Sequence, residues 1–582
     1  MFQLKKCSFN RGREEQQFRF KKFLVIALLL GWIKHALAVS LPIYALSTTG
    51  FDDRLMVNLA YSIMNGQWLG AYNSNTFIKG IGFPLFLVFS RTLGFSYLSS
   101  VSLFYIGACI LFIRSVKPCF NRLWQAVAVY TVLLFNPVTI SYTTQRVYRN
   151  SLTPSQVLLI LGCCFAIFLR RKQPLKKWWG WAAGAFFSVA FFWQTREDAI
   201  WIVPFLILYA LIMIVLFFVE HENAKNKLKK SICVILPILS IPISIAAVSV
   251  INHHYYGSYI CNELSQGNFS DALQNMYTAQ TDTPEIEYVT ITQEKLQKLY
   301  AYSPSLAEIE TELTKWSELF STYDRHPEDG EVEDGYFFWV LRLAAEEHGY
   351  FASPQSSNEY FGRIASELQS AFDSGALDKT WSMPSALMPP WRTGNFGKLM
   401  GALGESLSYS IGYKGDFQVK DDNGGMGWSD GMGGIALFEA VTNNIAIDPN
   451  AEGREFKAAM SMKFWPVLDL ISKVYRKTGF LAMGLGILAY MGLTVCLLQK
   501  DIRKKADVFS KWLILTALGC NILTLCAGIS YNHISCCDTI CQFYLSGVYP
   551  MIILFWTLAA VWMIDILLKG REIKMSEQEE TD

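Results

Sequence analysis

Charged residues are scarce in this sequence of 582 residues: they make up 17% of it, whereas hydrophobic residues make up 52%. The hydrophobic residues collect into runs of about 20, the length that crosses a bilayer core. This pattern excludes a soluble globular chain. The 51 basic and 49 acidic residues leave a net charge of +2. Such a balance gives no electrostatic reason to expect nucleic acid as a partner.

Nucleotide-binding motifs are also missing. There is no Gly-rich loop ending in Lys-Ser or Lys-Thr, and no strand-bounded dinucleotide fingerprint. Their absence argues against an ATP-driven transporter. A secondary transporter or lipid flippase is an alternative, but such proteins often carry inverted repeats and charges near mid-span. We find no internal repeat, and Lys34 and His35 are the main examples of charge near the middle of a predicted span.

Cysteine gives little framework, although the chain has 13 of them. Most lie in apolar runs, where cysteine behaves as a small hydrophobe. Four fall on the predicted outer side: Cys261, Cys536, Cys537 and Cys541. The sequence allows one disulfide bond among these four cysteines and does not determine which two would form it. Adjacent cysteines lack the ligand spacing of a structural zinc site.

The apolar runs predict an all-α polytopic membrane protein with about ten transmembrane helices. The predicted spans are 23–46, 97–116, 123–141, 152–169, 177–194, 198–219, 231–251, 479–498, 511–531 and 546–568. If the N-terminus is cytoplasmic, every predicted inner loop is basic, as the positive-inside rule requires. The apolar stretch 81–95 would reverse that pattern if it crossed, so we interpret it as an interfacial or re-entrant helix.

This topology divides a multi-pass protein of the cell membrane into five parts. The predicted divisions are a cytoplasmic N-terminus (1–22), an N-terminal transmembrane module (23–251) with a first outer loop (47–96), an extracytoplasmic domain (252–477), C-terminal transmembrane helices (478–569) and a cytoplasmic tail (570–582). Helical spacing of apolar residues in the long segment predicts a mainly helical domain. Within it, 463–477 is predicted to be an amphipathic helix lying on the membrane before the next span.

An acidic pair, Asp52 and Asp53, begins the first outer loop almost at the membrane surface. One interpretation is chemical: one carboxylate accepts a proton from a hydroxyl while the other positions it or holds a cation. The alternative is structural, with either residue capping the helix predicted to start at Arg54. The pair alone does not decide between these interpretations.

The same loop continues as GQWLGAYNSNTFIKGIGFPLFL over 66–87, which puts Lys79 before an apolar helix broken by glycine and proline. This order of parts resembles the GT-C superfamily of membrane glycosyltransferases, through about residue 260 and more loosely in the final spans. The resemblance implies that the outer acidic motif serves the acceptor or a metal, and that basic residues hold a lipid-linked phosphate. It therefore implies a polyprenyl-phosphate-linked sugar and an extracytoplasmic acceptor as partners.

Arginines near the outer ends of spans are candidates for binding that phosphate: Arg146, Arg149 and Arg196. They run against the positive-inside bias, which favours a ligand role. The alternative is that they pair with Glu197, Asp198 or other carboxylates, or reach lipid headgroups. His253, His254 and Tyr256 could stack on a sugar, or could belong to an interfacial aromatic belt.

Taken with the GT-C resemblance, these residues predict a membrane glycosyltransferase that works by inverting displacement. Asp52 would take the proton of the acceptor hydroxyl, while Lys79 and Arg196 stabilise the departing polyprenyl phosphate. A divalent cation, Mg²⁺ or Mn²⁺, held by Asp52 and Asp53 is a further alternative, for which the sequence supplies no third ligand. An envelope polysaccharide polymerase or ligase is the other alternative enzyme, and it would need its decisive basic residues in the large loop.

Overall fold

The computed structural model of the chain describes residues 20–46, 50–220, 224–281, 286–322, 330–381, 389–392, 394–415, 417, 434–446, 455–499 and 508–579. Every regular element in this part is a helix, and the only strand-like pairing is in isolated bridges. The all-α prediction is thus confirmed for the described part. Residues 1–19 of the predicted cytoplasmic N-terminus and 580–582 of the predicted tail lie outside it.

The first ten helices are α1 (Phe20–Val39), α2 (Asp53–Met64), α3 (Gly82–Thr92), α4 (Tyr97–Val116), α5 (Leu123–Leu134), α6 (Tyr142–Gln145), α7 (Thr153–Leu169), α8 (Trp179–Thr195), α9 (Val203–Val219) and α10 (Ala224–Tyr256). A group of shorter helices follows: α11 (Gly267–Thr278), α12 (Gln293–Tyr300), α13 (Pro304–Ala307), α14 (Glu310–Ser321), α15 (Asp334–Glu347) and α16 (Pro354–Asp373). The described part ends with α17 (Asn395–Ile411), α18 (Ile435–Thr442), α19 (Glu455–Leu498), α20 (Val508–Ser535) and α21 (Val548–Glu579).

Seven described helical segments are long and apolar enough to cross a membrane, or eight if α5 and the segment Pro137–Gln145, bent by 58°, count as one broken span. A polytopic helical membrane protein is therefore confirmed, while the predicted number of ten is not reached. Helices α7 and α8 have 17 residues each. At about 1.5 Å per residue they reach roughly 25 Å, short of a hydrocarbon core of about 30 Å.

One predicted helix differs from the sequence-based expectation. The predicted surface helix over 463–477 is not separate, because α19 continues unbroken from Glu455 to Leu498. Its only proline, Pro466, lies in the N-terminal part of the helix. Gly479 is also helical, and it packs so closely on Ile411 that a Cβ at this position would collide with the carbonyl oxygen of Ile411. Helix α3 has 11 residues, too few to cross a bilayer.

Four basic residues from the predicted inner loops meet at one end of the spanning helices: Arg114, Arg170, Arg171 and Lys230. Arg170 donates hydrogen bonds to the carbonyl oxygens of Ser115 (2.9 Å) and Arg114 (3.1 Å). Lys230 donates to the carbonyl oxygen of Arg171 at 2.7 Å. Helices α4 and α8 pack against α7, and α10 packs against α8. Tyr97, Thr153, Thr195 and Tyr256 therefore mark the opposite end.

At that opposite end, α11 to α16 surround a core of their own, into which the loop after α2 also packs. The fully buried Arg342 joins this unit to the loop: it pairs with Glu263 and donates to the carbonyl oxygens of Ser74 (2.6 Å) and Thr76 (3.0 Å). Helix α17 instead packs on α20, and helix α18 packs on α2 and α3. The described part of the predicted domain 252–477 thus divides between two packing environments.

Helix α2 lies between two cores, which explains why so much of it is apolar. Leu55 and Leu59 pack into the core of the α11–α16 unit. Met56, Val57 and Ala60 pack into a second core formed with α1, α3 and α4. Apolar residues on two faces hold the helix on both sides, so its first turn occupies a defined position beside the ends of the spans.

Candidate functional site

Eight charged side chains gather where α2, the loop before α3, the segment after α6 and the end of α8 meet. They pair one to one: Asp52 with Lys79, Asp53 with Arg146, Glu197 with Arg149, and Asp198 with Arg196. The cations are 3–16% exposed, whereas Asp52 and Asp198 are each 41% exposed. The cluster therefore combines two partly exposed carboxylates with four cations that are mostly buried.

Asp52 occupies the N-cap position of α2, but its side chain makes no capping hydrogen bond. Oδ1 instead accepts from Lys79 Nζ at 2.9 Å and from the Tyr148 hydroxyl at 2.8 Å. No described donor reaches Oδ2. The capping alternative therefore does not describe Asp52, which keeps one carboxylate oxygen available to a ligand.

Asp53 differs from its neighbour, since its side chain is completely buried in the first turn of α2. Both of its oxygens are taken by Arg146, at 2.6 Å from Nη2 and 2.8 Å from Nε. The guanidinium of Arg146 also lies 4.8 Å from the ring centroid of Tyr148 and 5.0 Å from that of Phe543. Such a bidentate, enclosed pair is suited to fixing the helix start rather than to contacting substrate.

The glycines beside Lys79 let its turn approach the end of α8 closely. A Cβ on Gly80 would collide with the carbonyl oxygen of Gln194, and one on Gly82 would lie 2.9 Å from the carbonyl carbon of that residue. The Gly80 amide donates to Glu197 at 2.9 Å. Lys79 Nζ lies 5.6 Å from the ring centroid of Trp339. The glycines therefore bring Lys79 between Asp52 and the α11–α16 unit.

Arg149 and Arg196 extend the cluster along the other side of Tyr148. Arg149 pairs with Glu197 and lies 5.1 Å from the ring centroid of Tyr148. Arg196 Nε donates to Asp198 at 2.6 Å, and its Nη1 donates to the Thr153 hydroxyl at 3.2 Å. The carboxylate pairing considered as the alternative for these two arginines is therefore present.

The cations determine the protonation of Asp52. Burial by itself would raise its pKa, but Lys79, followed by Arg149 and Arg146, outweighs that effect and holds the pKa well below its usual range. Asp198 has a lowered pKa for a related reason, because Arg196 and Arg149 outweigh its burial. Both exposed carboxylates are therefore ionised at neutral pH.

The predicted residues fall into two groups. Asp52, Asp53, Lys79 and the three predicted arginines belong to the cluster, whereas the aromatic and histidine candidates lie at the end of α10. Tyr256 donates to the carbonyl oxygen of Gly70 at 2.8 Å. The His253 ring stacks on Tyr259 at 3.9 Å between centroids, and the His254 ring meets Tyr255 edge to face. None of these contacts reaches the ion pairs.

Sequence reasoning missed Tyr148, Trp339 and Phe543 as members of the cluster. Tyr148 could have been noticed, because it lies between Arg146 and Arg149 in the segment that drew attention to those arginines. Trp339 belongs to α15 and Phe543 to the turn after α20, both far from the acidic pair along the chain. Nothing local in the sequence points to them.

A divalent cation finds few ligands at this position. Arg146 takes both oxygens of Asp53, and no group of three or more His, Cys, Asp or Glu side chains within the described ranges has the arrangement for holding a metal ion. The twelve described cysteines form no disulfide bond with one another. The described side chains do not fit a metal centre, so the chemistry considered below uses none.

No family model, curated protein or solved structure matches this chain. Its chemistry has to be argued from the arrangement of its own side chains. An ionised, accessible carboxylate lies beside cations that can stabilise an anion. Such a site is suited to reactions in which a hydroxyl loses a proton while a neighbouring oxygen gains negative charge.

Proposed function

We propose that the protein is a GT-C-type membrane glycosyltransferase that moves a sugar from a polyprenyl phosphate to an extracytoplasmic acceptor. The observation that carries the proposal is the division between the two acids. Asp53 is buried and locked by Arg146, whereas Asp52 is exposed and keeps Oδ2 open. Paired acids in different environments are typical of sites where only one of them reacts.

The proposed topology puts this site outside the cytoplasm. Arg114, Arg170, Arg171 and Lys230 gather at one end of the spans, and the positive-inside rule assigns that end to the cytoplasm. The acidic pair and the α11–α16 unit lie at the other end. A donor carried by a membrane lipid would then present its phosphate beside the ends of the spans.

In the proposed reaction, the acceptor hydroxyl binds at Oδ2 of Asp52 and attacks the anomeric carbon from the face opposite the phosphate. The new glycosidic bond forms as the bond to the phosphate oxygen breaks. The proton passes to Asp52, and the polyprenyl phosphate leaves with one additional negative charge. The total charge of the site and its substrates stays constant, which avoids an uncompensated charge near lipid.

The ion pairs add a condition to this mechanism, because a carboxylate with a low pKa is a weak base. We propose that the donor phosphate draws Lys79 away from Asp52. Losing that neighbour raises the pKa of Asp52, and the same movement supplies a cation to the leaving group. Arg149 and Arg196 would stabilise the phosphate while they remain paired with Glu197 and Asp198.

The test is release of free polyprenyl phosphate by the purified full-length chain in lipid nanodiscs. We expect release only when donor and acceptor are both present, and we expect Asp52→Asn to abolish it while keeping the elution volume and helicity of the wild type. Asp271→Asn is the matched control, because Asp271 is exposed on α11. Full activity of Asp52→Asn would contradict the role of this carboxylate.

The same purified protein, reconstituted into closed lipid vesicles, separates the alternatives. A secondary transporter or lipid flippase would move the donor across a vesicle membrane without cleaving it. A polysaccharide polymerase or ligase would release the carrier too, but it would depend on basic residues of the large loop rather than on Asp52. Transbilayer movement of an intact donor, with no release under any acceptor condition, would overturn the transferase proposal.

A further inference from the structure

A polar cavity of about 170 Å³ lies along α2, between this helix and the loop that leads to Lys79. Asn58 and Ser62 line it from the helix, and Asn73, Asn75 and Thr76 line it from the loop. Asn58 and Ser62 are four residues apart, so they share one face of α2. The cavity thus lies between helix α2 and this loop. Each of them also carries a residue of the ion-pair cluster, Asp53 in the helix and Lys79 in the loop.

The cavity lies beside the acidic pair. Gly50 and Leu55, which flank Asp52 and Asp53 in the chain, also line it. Helix α2 begins at Asp53, and the residues that face the cavity follow within its first three turns. A ligand in the cavity would therefore lie along the same helix whose start holds the exposed Asp52 carboxylate.

The lining is polar but uncharged. No Asp, Glu, Lys, Arg or His is among the residues that form it. Asn75 Oδ1 is buried and has no hydrogen-bond partner in the described part of the chain. A buried amide oxygen without a donor is unfavourable. The lining therefore offers amide and hydroxyl groups to a bound molecule.

Gly70 keeps the wall of the cavity open. Its φ of +87° favours glycine, and a Cβ there would lie 3.0 Å from Ser62 Oγ. Any larger residue would enter the space beside that hydroxyl. Leu55, Leu59 and Leu69 complete the wall with apolar surface. Amides and a hydroxyl beside aliphatic surface match a sugar, which offers hydroxyl groups around its rim and C–H groups on its faces.

We propose that this cavity binds a neutral sugar of the acceptor. The inference rests on the proposed transferase function and assigns its acceptor class: a glycan or glycolipid whose bound unit carries no charge. A phosphate is disfavoured here, because the cations lie in the neighbouring cluster and none of them lines the cavity. The cavity and the cluster would then divide the substrates, with the acceptor sugar along α2 and the donor phosphate at the cations.

Binding can be measured without any transfer reaction. The probes are methyl glucoside, methyl galactoside and methyl mannoside, with methyl glucuronide as the charged control, observed by saturation-transfer difference NMR on the full-length chain in detergent micelles. We expect at least one neutral glycoside to give a signal and the glucuronide to give none. Absence of any signal up to about 50 mM, far above an affinity of roughly 1 mM, would overturn the proposal.

Substitutions then locate the bound sugar. Asn58→Phe should fill the cavity and abolish the signal, while Asn65→Phe, at an exposed asparagine that ends the same helix outside the cavity, should leave it unchanged. Asn75→Ala should raise the Kd about tenfold by removing one of the amide side chains that line the cavity. Equal binding by all three variants, with unaltered elution volumes, would assign the signal to another site and refute the proposal.

The two proposals can fail separately. Asp271→Asn, at an exposed position outside both the cavity and the ion-pair cluster, should bind the glycoside as the wild type does. Glycoside binding that is lost in Asn58→Phe, without transfer under any condition, would uphold the sugar site and reject the transferase. Transfer whose acceptor KM is unchanged in Asn58→Phe would uphold the transferase and reject this sugar site.

Discussion

The hydroxyl of Tyr148 donates a 2.8 Å hydrogen bond to Oδ1 of Asp52, the same oxygen that Lys79 contacts at 2.9 Å. Two donors on one oxygen hold the carboxylate in a single orientation and direct Oδ2 away from them. The ring of Tyr148 also packs beside Arg146 and Arg149. One aromatic side chain thus links the buried acid, the accessible acid and two of the cations.

Replacing Lys79 with methionine should change the pH dependence of transfer as well as its rate. Lys79 is the main cause of the low pKa of Asp52, so the variant raises that pKa towards its usual value. Because the ionised carboxylate is the active form, the acid limb of the kcat/KM profile should move to higher pH, with a loss of about 10²-fold at neutral pH. Lys79→Arg keeps the charge and should keep the limb where the wild type has it. An identical limb in the methionine variant would contradict the pairing.

The two neighbouring acids should differ in what their loss does to stability. Asp53→Asn leaves Arg146 beside a neutral, buried partner and should reduce the free energy of unfolding by about 3–5 kcal/mol. Asp52→Asn should change it far less, since Asp52 is 41% exposed. The measurement is the Tm of each purified variant in the same detergent. Equal losses for the two variants would argue against a structural role reserved to Asp53.

The start of α3 should not tolerate a side chain at Gly82. Gly82→Ala puts a Cβ 2.9 Å from the carbonyl carbon of Gln194, which would displace the turn and Lys79 with it. We expect a lower Tm and a loss of transfer together. Gly107→Ala is the control, because a Cβ at Gly107 in α4 meets nothing within 4 Å. There, alanine should raise helix stability by up to about 1 kcal/mol. A neutral effect of Gly82→Ala would mean that the turn adapts.

Asp334 makes the stability of the α11–α16 unit depend on pH. Burial raises its pKa to about 7, although it accepts hydrogen bonds from the Thr290 amide and hydroxyl at 2.9 and 2.6 Å. Between its usual pKa and 7, the folded chain holds a proton that the unfolded chain releases, so stability falls as pH rises through this range. Asp334→Asn should remove that decline. The test is the Tm from pH 5 to pH 8, with Asp271→Asn as an exposed control that should follow the wild type.

Some of the site could be read from consecutive residues. The acidic pair, the Lys79 turn with its glycines, and the Arg146 and Arg149 segment were each visible because they interrupt apolar runs with charges. Their mutual pairing was not visible, since Asp53 and Arg146 are brought together only when α2 and the segment after α6 pack. The role of Asp52 was not visible either, because a helix-capping aspartate and a ligand-binding aspartate look alike in the sequence. In the structure its side chain makes no capping hydrogen bond and instead accepts one from the Tyr148 hydroxyl at 2.8 Å.

The sequence by itself determined that this is a helical membrane protein and which charged residues stand apart from its apolar runs, because hydropathy and periodicity are properties of neighbouring residues. The tertiary structure decided how many helices are long enough to span, that α19 is continuous, that Asp52 rather than Asp53 is accessible, and that a neutral polar cavity lies along α2. Those features arise from contacts between segments far apart in the chain, where packing and pairing of buried charge choose among arrangements that local sequence permits equally.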